Sequence, residues 1–186
     1  MKRPVPAFAS HLALLLSLSL SLATSLLAGC TDESGGVPGL TFDACAPLDI
    51  GVSPALTTEQ MQGVTDALAM WNQAADTALA TPIAPSSTPL IPLTFQVAAP
   101  PFHGLYDDRA GRIFVNQDLT DVDPLRITVA HEIGHAFGLP HVSASVRLSL
   151  MNSGNTTIGV TPGDVSALAA LWGRCPTSTS EPQSNK

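Results

Sequence analysis

The chain reads as an α+β domain, a small mixed sheet with two to three helices. Three observations point there. Helical spacing or helix-start signals mark three separate stretches. Between them lie short runs rich in β-branched and aromatic residues, bounded by turn residues. The 16 prolines and 14 glycines among 186 residues predict a domain rich in loops.

The first 29 residues carry no part of that fold. Lys2 and Arg3 form a positive start, and Leu12 to Leu27 is a leucine-rich, uncharged run interrupted by serines. This is the layout of a signal peptide, and the run falls short of the ~20 residues that cross a bilayer. Leu27-Ala28-Gly29-Cys30 resembles the lipobox of bacterial lipoproteins, in which the cysteine is lipid-modified and becomes the first mature residue. The resemblance implies attachment to the cell envelope through Cys30. Thr31, where inner-membrane lipoproteins carry Asp, favours the outer membrane. The alternatives are a free secreted protein and an uncleaved anchor.

Residues 30–41 read as a polar, Gly-rich tether, and 176–186 as a disordered tail. The domain is expected over 42–175. Thr57-Thr58-Glu59-Gln60 offers capping residues, and Met61, Val64, Leu68 and Trp71 then recur at helical spacing, predicting a helix from Thr58 to Leu79. Pro82 to Pro92 reads as a loop. Leu93–Val97 and Arg112–Asn116 read as strands, the second following a turn at Asp107–Gly111. Asp123-Pro124 starts a helix expected to stop at Gly138. Thr161-Pro162 starts the last helix, which Gly173 ends.

Composition narrows the function. A formal net charge of -7, with only 12% charged residues, repels phosphate backbones and argues against nucleic-acid binding. With Cys30 assigned to lipid, Cys45 and Cys175 remain, one at each end of the domain. Outside the inner membrane a bridge between them is expected; the alternative is two unpaired core thiols.

The chemistry concentrates in Ala130-His131-Glu132-Ile133-Gly134-His135-Ala136-Phe137-Gly138-Leu139-Pro140-His141. His131 and His135, four apart, share a helix face at the spacing needed to bind one ion. Leu125, Val129, Ile133, Ala136 and Phe137 lie on the opposite face, free to enter the core. Gly138 permits the backbone turn that brings His141 back. Three neutral imidazoles with an open fourth position are a catalytic zinc arrangement. Glu132 is placed to take a proton from a zinc-bound water, which then attacks a carbonyl, and to deliver that proton to the leaving amine.

This segment matches the HExxHxxGxxH pattern and so resembles the metzincin clan of zinc proteases. The clan carries a methionine turn under the metal, and Ser149-Leu150-Met151-Asn152-Ser153 looks like it, with Met151 as the turn methionine. Ala67–Trp71 with Pro92–Phe95, and Gly163–Gly173, are similar to parts of matrixin catalytic domains. The resemblance implies a metzincin-like domain with an active-site helix. It also implies that Asp164 holds the methionine turn, beside its plain reading as a helix-start residue. With His103 the one histidine outside the motif and the leader, a second, structural zinc site is not expected. Asp107 and Asp108 are candidate calcium ligands, but a solvated turn is the favoured reading. By analogy with the clan, substrate would lie extended along an edge strand, here taken as Gly111 to Asn116 with Ile113 and Val115; plain strand packing explains those two equally well.

The expected function is a monomeric, zinc-dependent endopeptidase acting on extended proteins or peptides. Two other readings stay open: a surface zinc-binding protein without turnover, and a zinc amidase acting on cell-wall or small peptides.

Overall fold

The computed structural model describes residues 39–82, 84 and 87–176. The leader, Cys30, the tether up to residue 38 and the tail from residue 177 lie outside the described residues. The element order is β1 (Leu48–Gly51), α1 (Thr58–Ala75), β2 (Leu79–Ala80), β3 (Leu90–Gln96), β4 (Gly104–Asp107), β5 (Arg112–Asn116), α2 (Val122–Ala136) and α3 (Pro162–Trp172).

The sheet is mixed, in the order β2-β1-β3-β5-β4. β1 runs parallel to β2 and β3, and β3 parallel to β5; only β4 is antiparallel, against β5. Strand β3 alternates as expected of a half-buried strand, with Ile91 and Leu93 inward and Leu90, Pro92 and Thr94 outward. It begins three residues before the predicted start and takes in Pro92. Strands β1, β2 and β4 were not anticipated. β1 has three consecutive buried residues, the mark of a strand covered on both faces, so it shows no alternation.

The edge assignment is corrected by this order. β5 lies between β3 and β4, and Ile113 and Val115 are both fully buried. They pack in the core and offer no free edge. Gly111 sits in the β4–β5 turn at φ 61°. The outer strand on this side is β4, whose four residues, GLYD, carry too little pattern to read as a strand.

Helix α1 starts where the sequence indicates. Thr57 accepts from the Gln60 amide at 3.2 Å, and the Gln60 side chain accepts from the Thr57 amide at 3.0 Å. It stops four residues early. Asp76 turns left-handed at φ 53°, and the Asn72 side chain pairs with both backbone groups of Leu79 at 2.9 Å. Asn72 thereby draws Leu79 into the sheet instead of the helix. Gly63 lets α1 approach α2 closely: a Cβ there would lie 2.5 Å from Leu125. Trp71 fills the joint, its indole donating to the Ala130 carbonyl at 2.9 Å and its ring meeting Phe137 edge-on at 5.6 Å.

Helix α2 is capped by Asp121 rather than Asp123, which leaves Pro124 in the first turn, where a missing N–H costs nothing. Leu125, Val129, Ile133, Ala136 and Phe137 are all buried, so this face forms the core against α1 and the sheet. Helix α3 matches its expected bounds, capped by Thr161 and ended by Gly173. Cys45 and Cys175 are bridged, their Cα atoms 4.8 Å apart. Among the described residues no helix is long and apolar enough to cross a membrane.

Candidate metal centre

The face of α2 opposite the core carries His131 and His135. Beyond the helix, Gly138 takes φ 91°, and Leu139 donates back to the Gly134 carbonyl at 2.9 Å. The chain reverses there and returns His141 to the helix. Directly afterwards Val142 donates to the Met151 carbonyl at 2.8 Å, and the Asn152 side chain donates to the Val142 carbonyl at 2.8 Å. His141 is thus clamped between a glycine turn and the 149–153 turn.

The three imidazoles converge. The Nε2 atoms of His131 and His141 lie 3.2 Å apart, and those of His135 and His141 3.1 Å apart. The other ring nitrogens are engaged where their roles can be assigned. Nδ1 of His131 lies 2.8 Å from the Leu150 carbonyl, and Nδ1 of His135 lies 2.8 Å from the Leu139 carbonyl. A carbonyl only accepts, so both Nδ1 atoms carry the proton and both Nε2 atoms carry a lone pair toward the common centre. His141 Nε2 stands within 3.2 Å of both, at a spacing that ligands of one ion would take. Zinc bonds of 2.0–2.1 Å in a tetrahedron put ligand nitrogens about 3.3–3.4 Å apart, close to the observed spacing. The residues therefore fit a metal ion, and the trio is the one group of potential ligands gathered closely enough among the described residues.

Electrostatics agree with this role. Burial is the largest influence on His131 and drives its pKa from 6.5 down to about 4; nearby His141 adds to the drop, while the Leu150 carbonyl and Asp164 oppose it. At neutral pH the ring is uncharged, the form that binds metal. Glu132, next to His131, is 1% exposed and stands against β4: a Cβ on Gly104 would lie 3.0 Å from its Oε1.

The 149–153 turn lies under the trio. Met151 is buried, and its sulfur would meet a Cβ on Gly134 at 2.5 Å, so only glycine between the two helix histidines admits it. Asp164 performs both roles read for it. It accepts from the Leu150 amide at 3.0 Å and from the Ser149 hydroxyl, which fixes the turn. It also accepts from the Thr161 amide and hydroxyl at 2.9 and 2.8 Å, which caps α3. Burial pushes its pKa up, but the hydrogen bonds from Ser149, Thr161 and Leu150 outweigh burial and hold it below the ordinary value. Asp107 serves its own turn, and Asp108 holds the segment at Gly39. Asp107 accepts from the Arg109 and Ala110 amides, and Asp108 from the Gly39 amide at 2.6 Å.

The cleft beside the trio is lined by His103, Thr128, His131, Glu132, Gly154 and Asn155. His103, Thr128 and Gly104 were not singled out from sequence. Thr128 was within reach, since it precedes Glu132 by one helical turn and so shares its face. His103 and Gly104 needed β4 to be recognised first.

The fold resembles that of myroilysin. One structure of that protein superposes with a TM-score of 0.52 at 14% identity, over 73% of this chain and 87% of that one. A second gives 0.51 at 16%, over 75% and 85%. No family model matches the chain, and no curated protein matches it in sequence. At these identities the likeness is one of fold.

Proposed function

We propose that the chain is a zinc-dependent endopeptidase of the metzincin type, with His131, His135 and His141 holding the ion and Glu132 as general base. The observation that carries this reading is the convergence of three imidazole Nε2 atoms beside a buried carboxylate. Met151 under the trio and the myroilysin-like fold support it. When bound, zinc supplies Lewis acidity that lowers the pKa of water toward ~7 and polarises a carbonyl. Glu132 accepts the proton that water loses on attack and passes it to the amine as the amide bond breaks. Gly104 keeps β4 close to Glu132, so an extended peptide added to the outer edge of β4 would pass the base. Export and lipid attachment through Cys30 belong to the same proposal; an acyl-modified N-terminal peptide in a membrane fraction is the expected mass-spectrometric finding.

Zinc content and cleavage of an unstructured protein test the assignment. Chelation should abolish cleavage, and zinc should restore it. Glu132→Gln should keep the metal and lower kcat by about 10²–10⁴. Full cleavage after chelation would refute the metal's role. Bound zinc without turnover would favour a binding protein, and cleavage confined to wall peptides an amidase.

A further inference from the structure

We propose that the cleft beside the histidine trio selects a short, hydrogen-bonding substrate side chain, with the Thr128 hydroxyl as its partner. The proposal rests on the endopeptidase reading and names the substrate class of that site. Thr128 is 3% exposed, and its Oγ1 is buried with no hydrogen-bond partner among the described residues. A buried hydroxyl left in that state is destabilising, and most such groups are paired. Its methyl is turned to β4, where a Cβ on Gly104 would come within 2.7 Å. The residue also lines the cleft that holds His131 and Glu132. With the methyl seated on the strand, the hydroxyl is the branch left without a partner on the cleft wall.

The rest of the wall narrows the choice. Asn155 is already committed: its Nδ2 donates to the Leu150 and Ile158 carbonyls, and its Oδ1 accepts from the Thr157 and Ile158 amides. It shapes the cleft rather than pairing with a guest. The cavity is about 10 Å³, room for about one water. Leucine or phenylalanine would not fit without movement of the wall. Glu132 disfavours a carboxylate by like charge. Serine and threonine remain: the shortest uncharged side chains able to pair with a hydroxyl.

The experiment is a cleavage profile of the zinc-loaded full chain on a peptide library, followed by kcat/KM for a matched pair with Ser or Ala at the selected position. Wild type should favour Ser over Ala by about tenfold or more. Thr128→Val, nearly the same shape, should bring that ratio close to one, and Thr128→Ser should restore it. The valine variant should also melt no lower than wild type, because it removes a buried unpaired hydroxyl. A purely structural role would lower both substrates alike and leave the ratio unchanged, which would overturn the proposal. So would a wild-type preference for large apolar side chains, or an unchanged ratio in Thr128→Val. Absence of any cleavage by zinc-loaded wild type would instead refute the endopeptidase reading beneath it.

Discussion

A methyl group on Gly104 would sit 2.7 Å from the Thr128 methyl and 3.0 Å from Glu132 Oε1. Thr128 is fixed on a packed helix, so Glu132 is the group able to give way. Gly104→Ala should therefore displace the base while the histidines stay in place. Displacement of about 1 Å can cost 10²-fold in rate, so a fall in kcat of about 10- to 100-fold with unchanged zinc content is expected. Steady-state kinetics beside metal analysis would check this, and an undiminished kcat would refute it. The histidine trio and Glu132 were readable one by one because their offsets along a helix are rigid. His131, Glu132 and His135 follow from a period of 3.6, and Gly138 from the need to turn before His141. Gly104 was not readable, because its importance comes from a helix far away in sequence.

At the scale of elements, the 149–153 turn and α3 are joined through one carboxylate. Asp164 is completely buried and binds Ser149, Leu150 and Thr161, with Arg147 at 3.3 Å. Its pKa lies below 3.8 in the folded chain. A group depressed on folding stabilises fully above its unfolded value, and that stabilisation disappears as pH falls through the folded value. The melting-temperature gap between wild type and Asp164→Asn should thus be widest above about pH 4 and shrink below it. A gap that does not change with pH would show that the charge is irrelevant. The helices were legible because each carries capping residues, and α1 and α2 an apolar face besides; α3 was matched to the residue. Short strands were not. β2 has two residues and β4 four, and β1 is buried on both faces. Missing β4 left β5 as the apparent edge, and that single omission put the expected substrate strand inside the sheet. The early end of α1 came from Asn72, whose tertiary pairing with Leu79 overrides local periodicity.

The whole molecule is closed at the end of α2. Phe42 donates to the Ala136 carbonyl and the Trp172 indole to the Phe137 carbonyl, each at 2.8 Å. The start and finish of the domain therefore hold the helix just before it turns toward His141. The Cys45–Cys175 bridge, spanning 130 residues of chain, ties those two holds together. Loops of this length stabilise by about 2–5 kcal/mol when bridged, chiefly by restricting the unfolded chain. Reduction, or the double change Cys45→Ser with Cys175→Ser, should lower the melting temperature by about 5–20 °C. An unmoved transition would show that the bridge contributes little.

That bridge also decides the fate of a severed copy. If molecules of this kind hydrolyse extended chain, each is exposed to its siblings, and the stretch around Ser87 and Pro89 is open to attack. A single scission anywhere between residues 46 and 174 yields two pieces that cannot drift apart, because one sulfur–sulfur bond encloses the whole interval. Nicked material would migrate as one band on a gel without thiol and as two with it. Damage by neighbours would then be survivable, and invisible until the sample is reduced.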